Sequence, residues 1–174
     1  KNLWHRGMPL ELVHNRNYKA KKKKLIKPDI QANFWNGDPD IDAVCRMLFK
    51  PECKFKKNYF PFFSQKISPF NSQNTLLTRK VIEDYFLFPH IGRMDDIWAS
   101  FYVTAKKYKV IYGEPTVYQQ RNVHNLIKDF KDEYIGYTNS QNLVESLYKN
   151  TENIYKFLPK KSSLAFDEWR KLTK

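Results

Sequence analysis

The stretch Ile91-Gly92-Arg93-Met94-Asp95-Asp96-Ile97-Trp98-Ala99-Ser100-Phe101 constrains this chain more than any other. A turn punctuated by Pro89 and Gly92 gives way to an apolar helix, and two adjacent acids stand where it starts. Asp is favoured there because its carboxylate caps free backbone N–H groups at the positive end of the helix dipole. One reading is a cap and nothing more. The other is a site, since a carboxylate fixed at a helix start beside Trp98 can take a proton from a hydroxyl or hold a sugar hydroxyl. Ile97, Trp98, Phe101 and Ala105 share one face of the helix predicted over residues 95–108.

The rest of the chain is read around that helix. Gly7 and Pro9 break any regular helix near the start. Ile30, Ala32 and Phe34 alternate within residues 28–36, the spacing of a strand. Gly37-Asp38-Pro39-Asp40 reads as a turn. Ile41, Val44, Cys45 and Leu48 have helical spacing up to Phe49, and Pro51 ends that run. The aromatic- and proline-rich residues 50–70 read as loop and short strand. A short helix is expected over Arg79–Tyr85. Buried strands are expected at Lys109–Tyr112 and Thr116–Gln119, separated by a Gly113-Glu114-Pro115 turn. Residues 121–139 are polar and read as irregular. A last helix is expected from a Ser140 cap to about Leu158, followed by a basic tail with one turn around Trp169. The expected organisation is a main unit over residues 1–139 and a C-terminal helix and tail over 140–174.

Composition narrows the function classes. The chain has 174 residues, enough for one domain with a sizeable core, and a formal net charge of +13. Such charge suits a polyanionic partner. Much of it is local, in Lys19 to Lys27 and in Lys160, Lys161, Arg170, Lys171 and Lys174, and runs of this kind are usually solvated faces. A basic nucleic-acid-binding domain is therefore the third reading, not the first. No apolar run approaches a membrane span, and the start does not look like a secretory signal. Cys45 and Cys53 form no CxxC pair, so free thiols in a reducing compartment, the cytoplasm, are expected.

Several clusters carry chemistry. Asp38, Asp40 and Asp42 form D-x-D-x-D, but Ala43 and Phe49 stand where a calcium loop needs Gly and Glu. The competing readings are a divalent-ion pair bridging a diphosphate and a turn whose acids cap the next helix; motif grounds favour the cap. Asn71, Gln73 and Asn74 offer donors and acceptors suited to sugar hydroxyls, or to their own backbone. His124 is a candidate metal ligand or phosphate contact. No Gly-rich phosphate loop, nucleophile elbow or H-E-x-x-H motif is present.

Four short motifs occur in an order that resembles a known family. Arg6-Gly7-Met8-Pro9-Leu10 is similar to an R-G-Y-P-F segment, and Trp35 to Arg46 to W-x-x-x-P-D-x-D-A. Pro69-Phe70-Asn71-Ser72-Gln73-Asn74-Thr75 is similar to P-Y-N-x-Q-N-T, and Ile91 to Ala99 to I-G-R-Y-D-D-M-W-A. The chain thus resembles, over residues 3–137, the C-terminal half of the reversibly glycosylated polypeptides, the plant UDP-arabinopyranose mutases, and STELLO-type glycosyltransferase-like domains. The resemblance implies the acceptor-side half of a GT-A-like α/β fold, a mixed sheet with flanking helices, whose nucleotide-binding half and acidic metal motif lie before Lys1. It implies a nucleotide sugar, UDP-sugar first, and a divalent metal, Mn or Mg, held mainly by that other half. Asp96 is implied as base or sugar ligand with Asp95 beside it, and Arg6 as the arginine the mutases glycosylate or need. Trp35 or Trp98 is expected to give a sugar ring an apolar face, and Asp40, Asp42, Asn71, Gln73 and Asn74 to line the sugar or acceptor site. Val13 stands where the mutases have a second arginine, and Tyr118-Gln119 where they have a Trp-His pair, so the mutase reaction itself is not carried over. The expectation is a glycosyltransferase of unknown acceptor. The alternative is an inactive glycosyltransferase-like module that binds a partner enzyme. Homo- or hetero-oligomerisation is left open.

Overall fold

A computed structural model describes residues 3–14, 26–64 and 66–174. The expected lysine-run loop falls mostly on residues outside these, and only Lys27, which is exposed, is described. The fold is mixed α/β: a four-stranded mixed sheet flanked by helices. Its strands are β1 (Ile30–Gly37), β2 (Phe62–Phe63), β3 (Thr75–Leu77) and β4 (Val110–Gln119), in the order β2-β4-β1-β3. β1 runs parallel to β4 and antiparallel to β3, and β2 is antiparallel to β4. A parallel neighbour needs a crossover, and the chain between β1 and β4 supplies it. That chain includes α1 (Ala43–Leu48) and α2 (Asp95–Ala105). α3 (Leu126–Lys149) and α4 (Lys160–Leu172) follow β4.

α2 is the spine. Nine of its eleven residues are buried, Asp96 and Ser100 among them, so the helix is enclosed well beyond the one apolar face its spacing predicts. Trp98, Phe101, Tyr102 and Val103 join Ile30, Ala32, Phe88, Leu143, Ile154 and Phe166 in one continuous core. A smaller cluster of Trp4, Val13, Ile41 and Cys45 lies under the N-terminal segment. α2 ends by a Schellman motif: Tyr108 N–H reaches Val103 O, Lys107 N–H reaches Thr104 O, and Lys107 takes φ 68°.

The predicted first strand and the helix before Pro51 are present. Five expectations are corrected. Gly113-Glu114-Pro115 is not a turn between two strands but a bulge inside β4: Asn33 pairs with Gly113 and Trp35 with Val117. Pro115 fits there because a bulge residue has no ladder N–H to supply. Residues 121–139 are not irregular, since α3 starts at Leu126, capped by Asn125, whose side chain accepts Lys128 N–H at 3.0 Å. Ser140 is no cap. It lies buried in the middle of α3, which runs unbroken across residues 139 and 140, and its hydroxyl accepts Trp98 Nε1–H at 3.3 Å. The basic tail is a full helix, α4, whose Phe166 and Trp169 pack on Phe86. The short helix after Arg79 is a single 3-10 turn, Arg79–Val81. No helix among the described residues is long and apolar enough to cross a membrane.

Candidate functional site

The site is built where the N-terminal segment crosses the start of α2. Gly7 allows the crossing: it has φ 89°, and a Cβ there would lie 2.2 Å from Ile97 Cγ2. Arg6 is thereby brought under the turn that opens α2, with its backbone N–H on Asp40 O at 3.0 Å. Its buried guanidinium makes two forks. Nε and Nη2 each reach Asp40 at 3.1 Å, and Nη1 and Nη2 reach Asp96 at 3.0 and 3.2 Å. Nη1 also donates to Arg93 O. Such paired bonds are the strongest geometry an arginine offers a carboxylate.

Around this triad each carboxylate finds a further donor on its Oδ2. Asn71 Nδ2 reaches Asp40 at 2.9 Å, and Ser72 N–H reaches Asp96 at 3.0 Å. Burial works to raise the Asp40 pKa, but the Arg6 guanidinium, with His5 and Arg121, more than offsets it and holds Asp40 well below the usual carboxylate range. Burial likewise works to lower the Arg6 pKa, and Asp40 and Asp96 together hold it above its ordinary value. The triad is a locked ionic floor.

Asp95 differs. It is half-buried, has no ion pair among the described residues, and accepts Asp96 N–H at 2.9 Å. Burial first, and the neighbouring Asp96 charge, push its pKa upward. Arg93 is held from behind by fully buried Glu133, at 2.8 Å, and by Asp129 at 3.4 Å. Arg121, two residues past β4, closes the other side and donates to Gln73 Oε1 at 3.2 Å. These groups surround a cleft of about 250 Å³, lined by Arg6, Asp40, Ser72, Gln73, Gly92, Arg93, Asp95, Asp96 and Arg121.

Of the residues singled out in the sequence, Arg6, Asp40, Gln73, Asp95 and Asp96 meet in this cleft, and Asn71 braces its floor. Asp42 does not reach it: its carboxylate caps α1 through Cys45 N–H and accepts Trp4 Nε1–H, both within 2.7 Å. Asp38 pairs with Arg46 at 2.6 Å. The three acids of D-x-D-x-D thus turn to three different partners, as the capping reading requires for Asp42. Asn74 ties Phe34 O to Thr116, joining β1 to β4. The two tryptophans are corrections. Trp98 is completely buried and offers no face to a ring, and buried Trp35 points its N–H at Asp38 O. His124 is bonded to Asp129 at 2.6 Å, and among the described residues no group of three or more His, Cys, Asp or Glu is placed to hold a metal. Arg93, Arg121 and Glu133 were missed. Arg93 lies inside the leading motif, and Arg121 stands three residues before His124; Glu133 carries no sequence signal. No protein-family model matches the chain, and no curated protein does either.

Proposed function

We propose that this chain is part of a nucleotide-sugar-dependent glycosyltransferase of GT-A-like architecture, and that the cleft receives the hydroxyls of a sugar or acceptor. One observation carries this reading: residues chosen from four separate sequence motifs line or brace a single polar cleft. The cleft combines guanidinium donors with carboxylate and amide acceptors, the mixture a hydroxyl, at once donor and acceptor, requires.

The roles of the two acids follow from their partners. Asp96 carries both arms of Arg6 and Ser72 N–H, so its oxygens are engaged. Asp95 has no ion pair among the described residues and has a raised pKa, which suits it to accept a proton. In this mechanism Asp95 accepts the proton of the acceptor hydroxyl. That oxygen bonds to the anomeric carbon, and the nucleotide diphosphate departs with the electrons of the broken C–O bond. Arg6 and Asp96 hold the helix start in place beneath the reaction.

Calorimetric titration of the intact protein with UDP-sugars and GDP-sugars, with and without manganese, tests the reading. The expected result is binding of a UDP-sugar with slow turnover, and an Asp95→Asn variant that binds more weakly and, at saturating sugar, loses about 100-fold or more in rate. Failure to bind any nucleotide sugar overturns the proposal and leaves a non-catalytic module that binds a partner enzyme.

A further inference from the structure

The cleft holds one arginine whose donors are largely idle. A guanidinium has five N–H groups. Arg6 uses its own on two carboxylates and a carbonyl. Arg121 makes one hydrogen bond among the described residues, to Gln73. Its ion-pair distances to Asp40 and Asp38, 3.7 and 3.8 Å, lie beyond hydrogen-bond reach. Its side chain is 10 % exposed, and Nε is sealed from solvent with no hydrogen-bond partner among the described residues. An arginine this buried with unmatched donors costs free energy unless something completes its bonding. Asp95 stands in the same cleft with no cation on its carboxylate among the described residues. The structure therefore offers an unmatched donor and a carboxylate with only a backbone N–H on it around one space, above a floor of paired ions.

Charge selects the ligand. Three guanidiniums and three carboxylates line the cleft, so their formal charges cancel although the chain as a whole is strongly basic. A free phosphate would meet Asp95 and the two carboxylates of the floor. A neutral molecule with adjacent hydroxyls meets no such opposition: one oxygen accepts from Arg121 while the neighbouring hydroxyl donates to Asp95.

We infer that Arg121 and Asp95 form a diol-recognition pair, and that Arg121 sets which hydroxyl arrangement the cleft accepts. Arg6 and Asp96 support the cleft without selecting the ligand. This deepens the transferase reading and rests on it for the identity of the diol as part of a sugar. It adds Arg121, on which neither the sequence motifs nor the proposed proton transfer depends.

Saturation-transfer NMR with methyl glycosides of glucose, galactose and arabinose, run beside inorganic pyrophosphate and a UDP-sugar, tests the pair. Arg121→Gln and Asp95→Asn are compared with wild type and with a surface control, Lys131→Ala, all checked for unchanged circular dichroism and melting. The expected result is millimolar binding of at least one glycoside, weakened about tenfold or more in Arg121→Gln and partly restored in Arg121→Lys, with no pyrophosphate signal. Pyrophosphate binding that depends on Arg121, without glycoside binding, overturns the inference in favour of an oxyanion site. UDP-sugar binding indifferent to Arg121→Gln overturns it and leaves the transferase reading standing. Glycoside binding lost in both variants, with no binding or turnover of a UDP-sugar, upholds the pair and sinks the transferase. Absence of every signal overturns both.

Discussion

Beyond its first turn α2 is gripped by Trp98, Phe101, Tyr102 and Val103 among other apolar side chains; within that turn it is held by ions, Asp96 on Arg6 and Arg6 on Asp40. The apolar part forgives local change, because each side chain contributes area and its neighbours relax around a loss. The ionic part does not, because removing one partner strands the others without water. One helix therefore ends in a region whose stability is spread over many contacts at one end and concentrated in a single guanidinium at the other. A site that must hold its geometry to a fraction of an ångström gains from the second arrangement.

The largest effect should come from breaking the floor. Arg6→Met strips two buried carboxylates of their guanidinium hydrogen bonds and should cost about 3–5 kcal/mol in urea unfolding. Adding Asp40→Asn and Asp96→Asn to that variant should recover much of the loss; no recovery would show that packing, not charge, holds the segment. In the apolar region Leu143→Ala should cost about 2–4 kcal/mol and leave glycoside binding unchanged. A binding loss there would blur the line between the two regions.

Acidity sharpens the comparison because two neighbouring acids respond with opposite sign. Asp40 is held below its unfolded pKa, so its contribution is present at neutral pH and is lost as pH falls below about 4. Asp42 is pushed up to about 6 by burial, against the pull of Cys45 N–H and Trp4. Its contribution is full below about 4 and is lost as pH rises through about 6. Urea midpoints measured from pH 3 to pH 8 should show both limbs, and Asp42→Asn should erase only the upper one. The smallest effect is at the far end of α2, away from the cleft. Lys107→Gly, which removes a side chain from a left-handed residue, should raise stability by up to about 1 kcal/mol in the same assay.

What could be read from the sequence divides along the same line. The strand at Ile30 and the helix at Asp95 announce themselves by apolar spacing, and structure follows spacing there. α3 did not, for a physical reason. Its buried stripe is Glu133, Gly136, Ser140, Leu143 and Leu147, so the first half carries the helical period in a polar and two small residues. Gly136 lies so close to Met94 that a Cβ would sit 2.6 Å from its sulfur, and Glu133 is there to bond Arg93, Ala43 N–H and Tyr137. Hydropathy has no term for either demand, and so Ser140 was mistaken for a beginning. The cleft was half legible. Its acids and Arg6 stand in compact motifs, whereas Arg121 is defined only by what it fails to touch.

The bulge in β4 has a consequence of parity. Between Asn33 and Trp35 β1 carries one residue, while between Gly113 and Val117 β4 carries three. The excess is two, and side chains on a strand alternate with a period of two. An even excess leaves inside and outside unexchanged, so Val117 keeps the phase of Gly113 after the detour. Deleting Glu114 and Pro115 together would therefore remove the detour and leave Val117 facing Trp35 as before. The strand can lose its bulge without changing the face on which the chain runs on toward Arg121.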